Sequence, residues 1–186
     1  MDDAKIYIIV GGSGSGKTTL VENLLKSDLG LTRVLTHTTR KPRSTEVDKQ
    51  DYVFISVAEF LKLVAVDYFI EYSNAYGNWY GTSKMAFSST GKSKIIILDA
   101  EGAINIKKNY PNSHVIYIPT EKEVLQKRLS LRGDTEDLVQ RIALMDQELQ
   151  KISNIDKYTV KNKEFAEIFE EVYKYIKKSK KNVDII

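Results

Sequence analysis

Eight consecutive residues, Gly11-Gly12-Ser13-Gly14-Ser15-Gly16-Lys17-Thr18, fit the spacing G-x-x-x-x-G-K-[ST]. Glycines let such a segment curl until successive backbone N–H groups point inward at phosphate oxygens. A helix beginning near Lys17 then adds its positive dipole end. In that cradle Lys17 bridges the β and γ phosphates as a mobile point charge, and the Thr18 hydroxyl coordinates Mg²⁺. A chance match in a chain of this length is on the order of one per cent. The motif therefore implies binding of a nucleoside triphosphate, and it leaves the acceptor of the phosphate open.

A second cluster supplies candidates for that acceptor. Arg40 and Arg43 stand three residues apart and are followed by Glu46 and by Asp51-Tyr52. Two forked guanidiniums with a tyrosine hydroxyl suit one terminal phosphate, because bidentate donors match its oxygens. On spacing alone the same arginines fit an exposed loop equally well. Further along, Arg128 and Arg132 at i and i+4 share one helix face, either to place positive charge around a moving phosphoryl group or as a solvated face beside Glu121 and Glu123.

The elements that must position these residues read as α/β. Ile6–Val10 is a continuous β-branched and aromatic run, the pattern of a strand buried on both faces, and it leads directly into the glycine loop. Thr18–Lys26 follows with Leu20, Val21, Leu24 and Leu25 at helical spacing. Ser93–Asp99 and His114–Pro119 repeat the buried-strand pattern, and the intervals imply crossover helices and a parallel sheet. Asp51–Ile55 and Tyr68–Tyr72 alternate more, which predicts shorter strands in a separate small sheet inside an inserted subregion, 33–90. Helices are expected over 121–131, 136–152 and 164–178, the last with Phe165, Ile168, Phe169, Val172, Tyr173 and Ile176 on a core stripe.

Composition narrows the function classes. The chain has 186 residues, 42% of them hydrophobic, which is enough for one compact domain. It has no cysteine, so disulfide frameworks and thiolate metal sites are excluded, and a reducing, cytoplasmic location is the expectation. A net charge of +3 gives no field that argues for nucleic acid. The acidic start and the short run Ile6–Val10 argue for neither export nor a membrane span. Partners are expected to be small molecules, and monomer and homodimer stay equally open.

In the order and spacing of its motifs the sequence resembles the guanylate kinase family, from about Lys5 to the final helix. The motifs are the glycine loop, T-T-R-x-P-R-x-x-E at Thr38–Glu46, Asp51-Tyr52, F-I-E at Phe69–Glu71 and G-N-W-Y-G-T at Gly77–Thr82. They continue with R-L-x-x-R-G at Arg128–Gly133, then Arg141 and Asn162. The resemblance implies a P-loop NTPase-type parallel core sheet flanked by helices, with an inserted small mixed β-sheet that binds GMP (33–90) and a helical lid (about 133–152). Core segments would be 1–32, 91–132 and 153–186.

The resemblance also implies residue roles in transfer of the γ-phosphate of ATP to GMP or dGMP. ATP would be held by residues 11–18 with Thr19 and Asn162, and Mg²⁺ by Thr18. The GMP phosphate would be held by Arg40, Arg43, Tyr52 and Tyr80, and the guanine by Thr36, Glu71, Thr82 and Asp99. Arg128, Arg132 and Arg141 would be lid arginines that join Lys17, Arg40 and Arg43 around the transferring phosphate. The chemistry agrees: a carboxylate such as Glu71 accepts from guanine N1–H and N2–H₂, which adenine does not supply in that pattern, and Thr82 can donate to O6. No general base is required, since the GMP phosphate is already ionised near neutral pH, so His37 and His114 read as structural.

Departures from the family pattern are local. The family's L-D-x-D-x-x-G is here Ile97-Leu98-Asp99-Ala100-Glu101-Gly102, and alignment on Gly102 puts Ile97 at the first aspartate and Asp99 at the base-contacting second. Lys49 stands where a glycine is common. The alternatives are a catalytically silent guanylate-kinase-like interaction module and a P-loop kinase with another acceptor. The complete glycine loop opposes the first, and Glu71 with Thr82 opposes a sugar phosphate acceptor.

Overall fold

The computed structural model describes residues 4–12, 14–44, 46–75, 77–88, 91–120, 124, 147, 149–161 and 163–181. Most of the two helices expected at 121–131 and 136–152, and with them the lid and Arg128, Arg132 and Arg141, lie outside the described residues, as do Ser13 and Asn162.

A five-stranded parallel sheet forms the centre. Its strands are β1 (Ile6–Gly11), β2 (Thr32–Arg33), β7 (Lys94–Ile97), β8 (His114–Ile118) and β9 (Tyr158–Thr159), in spatial order β2-β7-β1-β8-β9. The run in β1 is continuous because both of its faces are covered. Tyr7 and Ile9 enter one core cluster with Leu20, Val21 and Leu24 of α1 (Lys17–Lys26) and with Val172 and Ile176 of the final helix, α4 (Phe165–Lys181). Ile8 and Val10 enter the opposite cluster with Ala103 and Ile106 of α3 (Ala100–Asn109). Period-2 alternation along one strand thus feeds two cores. The α4 stripe differs at its start: Ile168, Val172 and Ile176 are buried, whereas Phe165, the first residue of the helix, is 39% exposed.

A smaller mixed sheet has the order β4-β3-β6-β5, from β3 (His37–Thr38), β4 (Val53–Phe54), β5 (Phe69–Ala75) and β6 (Asn78–Ser83). The β5–β6 hairpin is antiparallel, β3 joins β6 antiparallel, and β4 joins β3 in parallel. Helix α2 (Val57–Ala65) packs on it through Phe60, which is fully buried and stacks on Phe69 and Trp79 at 4.6 and 5.8 Å between ring centroids. A reciprocal cap starts α2: Ser56 accepts from the Glu59 N–H, and the Glu59 carboxylate accepts from the Ser56 N–H.

Candidate functional site

The glycine loop leaves β1 at the carboxyl end of the central sheet, the edge where ligands of open parallel sheets collect. Gly16 takes φ of +88°, a left-handed geometry that a side chain would strain, and it caps α1 with no side-chain hydrogen bond. The first turn of α1 contains no acidic residue, so no side-chain charge on that turn cancels the positive dipole end. The Lys17 ammonium lies over the loop and donates to the Gly11 and Gly12 carbonyls at 2.5 and 2.8 Å. Ser15 is buried, Thr18 half-buried and Thr19 exposed on that turn.

Beside β1 runs β7, paired in register Ile9↔Ile97, so Asp99 emerges at the same edge as the loop. Asp99 caps α3: its Oδ1 accepts from the Gly102 N–H at 2.7 Å. Its other oxygen, Oδ2, accepts from the Ser73 hydroxyl at 2.5 Å, which ties the small sheet to the core.

Strand β5 carries Glu71 and Ser73 on one face, and both are 4% exposed. The Thr82 hydroxyl, on the paired position of β6, donates to Glu71 Oε1 at 2.5 Å, while Glu71 Oε2 is buried with no partner. Burial pushes the Glu71 carboxyl up from 4.5 to about 7, the Thr82 hydrogen bond opposes this, and the Asp99 charge adds to it. Thr36 is also buried, at the connection between β2 and β3. Glu71, Thr82 and Asp99 therefore form one cluster, with the Glu71 Oε2 acceptor left unused.

The arginine group lies along the same sheet. Tyr80 pairs with Thr38 on one side and Ser73 on the other. Arg40 lies over the Tyr52 and Phe54 rings, 5.4 and 5.7 Å from their centroids, and Tyr52 packs edge-on against Tyr80 at 6.3 Å. Glu46 gathers both arginines: its Oε1 accepts from Arg40 at 2.7 Å and from Arg43 at 3.3 Å, and its Oε2 accepts from the Arg43 N–H at 2.7 Å. Although burial works against ionisation, the hydrogen bond from Arg40 and the charges of both arginines hold the Glu46 carboxyl below the usual range. Burial, with Tyr80 nearby, pushes the Tyr52 phenol up.

Both histidines are packing residues. His37 sits edge-on to Tyr68 and Phe69, and burial holds it below its usual pKa. His114 stacks on Tyr7 with its Nδ1 3.0 Å from the Tyr175 hydroxyl.

The structure also brings in residues to which the motifs gave no role. Ser73 was detectable only through its strand parity with Glu71, and Glu46 as the carboxylate ending the arginine motif. Gly102 matters by its smallness: a Cβ there would stand 2.9 Å from Glu71 Oε2. Lys49 adopts φ of +61°, the backbone state that accounts for the glycine common at this position.

A strand, glycine loop and lysine-bearing helix beside a second pocket of carboxylates and arginines define the class of P-loop nucleotide kinases. Comparison with known proteins narrows the class. A family profile described as guanylate kinase matches residues 3–179. A guanylate kinase of Fusobacterium nucleatum is 34% identical over 163 residues, covering 84% of this chain and 88% of the relative. One from Francisella tularensis is 33% identical over 185 residues, covering 94% and 96%. The crystal structure of guanylate kinase from Anaplasma phagocytophilum superposes with a TM-score of 0.78 at 21% identity, covering 98% of this chain and 89% of that one, and so shares the fold. The chain belongs to the guanylate kinase family.

Proposed function

We propose that the protein transfers the γ-phosphate of ATP to GMP, giving ADP and GDP. The observation that carries this reading is the buried Glu71 carboxyl, with Oε1 held by Thr82 and Oε2 unused beside Asp99. A buried acceptor without a partner is costly, and a base edge bearing adjacent N–H donors removes that cost while an adenine edge does not.

In this reading residues 11–18 with Thr19 bind the ATP phosphates. Lys17 moves from the Gly11 and Gly12 carbonyls onto the β and γ oxygens. Arg40, Arg43, Tyr52 and Tyr80 bind the GMP phosphate, Thr36, Glu71, Thr82 and Asp99 bind the guanine, and Asn162 lies near the adenine. Little covalent work falls to the protein, so rate comes from alignment and positive charge, with Arg128, Arg132 and Arg141 completing the cage.

Mg²⁺ fits the donor set as an ion carried mainly by phosphate and water oxygens. Among the described residues no group of three or more His, Cys, Asp or Glu could hold a metal, whereas the Thr18 hydroxyl stands on the first turn of α1. When bound it would neutralise charge on the triphosphate. No helix among the described residues is long and apolar enough to cross a membrane. From the likeness to bacterial guanylate kinases we infer a cytoplasmic location and action on dissolved nucleotides. The test is ADP formation with ATP, Mg²⁺ and a panel of GMP, dGMP, IMP, AMP, CMP and UMP. GMP is expected to lead, and Glu71→Gln to reduce that lead; equal rates with AMP in both forms would overturn the assignment.

A further inference from the structure

The two carboxylates at the base pocket are held in the same way. Thr82 on β6 donates to Glu71, and Ser73 on β5 donates to Asp99, each at 2.5 Å. Glu71 and Asp99 belong to different parts of the molecule: Glu71 to the small sheet, Asp99 to the turn between β7 and α3. Among the described hydrogen bonds of these two carboxylates, that of Ser73 is the one that crosses between the parts.

We propose that Ser73 is a positioning residue for base recognition, holding Asp99 so that it and Glu71 together face the donor edge of a purine carrying a 2-amino group. The inference rests on the guanine reading of the pocket given above.

The geometry supports the role in three ways. First, an ionised carboxylate has roughly four lone-pair sites on two oxygens. Gly102 N–H occupies one on Oδ1 and Ser73 one on Oδ2, so Asp99 keeps acceptor capacity on both oxygens while its rotation is fixed at both. Secondly, Gly102 leaves room for the pair to stand close: a Cβ there would come to 2.9 Å from Glu71 Oε2 and 3.3 Å from Asp99 Oδ1. Thirdly, the Ser73 backbone pairs with Tyr80, so the residue that fixes Asp99 also lies across the sheet from a member of the phosphate-binding group. Guanine offers the N1–H and a two-proton amine along one edge, and hypoxanthine offers the N1–H alone. A paired acceptor set therefore discriminates between them, and a single carboxylate does so less well.

Steady-state kinetics at saturating ATP and Mg²⁺ test the proposal, with GMP as substrate and IMP as competitor, on the native chain, Ser73→Ala, Ser73→Thr and Glu71→Gln. Ser73→Ala is expected to raise the GMP KM roughly 3- to 10-fold, the effect of losing one hydrogen bond. The expected kcat stays within about twofold, and the IMP inhibition constant moves less than the GMP KM, so the GMP-over-IMP ratio falls. Ser73→Thr, which keeps the hydroxyl, is expected to restore the ratio. An unchanged GMP KM and ratio in Ser73→Ala, or a loss of kcat at constant KM, would overturn the proposal. If Glu71→Gln abolishes the preference for GMP while Ser73→Ala leaves it intact, only the role of Ser73 fails. If neither variant alters the preference, the guanine reading of the pocket fails with it.

Discussion

Replacing Glu71 by glutamine should make the free protein more stable at alkaline pH while weakening its grip on GMP. Glu71 is 4% exposed, and its carboxyl is displaced upward from 4.5 to about 7, chiefly by burial. Because the folded value is the higher one, the folded chain binds more protons than the unfolded chain between those two limits. The contribution of the neutral acid to stability is therefore complete below 4.5 and is lost as pH rises to about 7. At about 1.4 kcal/mol per pH unit the full displacement amounts to about 3 kcal/mol, of which about 1 has been lost near pH 5 and nearly all near pH 8. Glutamine keeps the acceptor that Thr82 uses and presents an amide toward Asp99 in place of a second carboxyl oxygen. Its stability should therefore not follow this curve. Thermal or urea unfolding of the ligand-free protein near pH 5 and near pH 8 measures the effect. The advantage of Glu71→Gln is expected to grow by about 2 kcal/mol between the two conditions, roughly 4 to 8 °C in Tm for a chain of this size. An advantage of equal size at both pH values, or none near pH 8, would refute the reasoning, because burial of an ionised Glu71 would then cost nothing.

Other consequences follow from the same geometry. In the proposed complex Glu71 accepts N–H donors in its ionised form, so the GMP KM should fall as pH rises through 7 in the native chain and do so less steeply in Glu71→Gln; pH profiles of KM for both forms check this. Lys17→Ala removes the cation that lies over the loop and donates to the Gly11 and Gly12 carbonyls, so ATP binding measured by calorimetry should fall by at least about tenfold and turnover by far more. Lys49→Gly relieves a left-handed backbone at φ of +61°, and after the added entropy of the unfolded chain it should stabilise by roughly 0.5 to 1 kcal/mol in urea unfolding.

How far the sequence discloses this molecule depends on whether the determining interaction is local. The glycine loop is legible because its geometry is set by the glycines themselves, and β1, β7 and β8 are legible because a strand buried on two faces must be apolar throughout. The two-residue strands β2, β3, β4 and β9 carry too few residues for any period, and only their sheet partners define them. Thr82 with Glu71 lies within one hairpin and could be paired by motif. Ser73 with Asp99 joins positions 26 apart, one on β5 of the small sheet and one at the cap of α3, which no local pattern encodes. The conformation of Lys49 is likewise invisible in its type, since lysine rarely adopts it. Phe165 fits the helical stripe by spacing, yet it is the first residue of α4 and 39% exposed, a difference that spacing does not encode.

Ile97 can be placed by the same strand parity. Along β7, Ile96 joins the cluster on the α3 side of the sheet, together with Leu98, whereas Ile95 joins the cluster on the α1 side and Ile97 packs half-buried against that cluster. The family's first aspartate would thus emerge on the face that carries α1, with Thr18 on its first turn, whereas base contacts are assigned to Glu71 and Asp99. Its replacement by isoleucine should bear on metal handling and leave base choice alone. Ile97→Asp should destabilise the free protein by about 1 to 3 kcal/mol, the cost of placing a carboxylate among apolar neighbours. It should also lower the Mg²⁺ concentration needed for half-maximal rate, because a carboxylate is a stronger magnesium ligand than an alkyl group is a neighbour. The GMP-over-AMP preference should not move. A changed base preference in Ile97→Asp, with the Mg²⁺ dependence unaltered, would show that position 97 belongs to the guanine pocket after all.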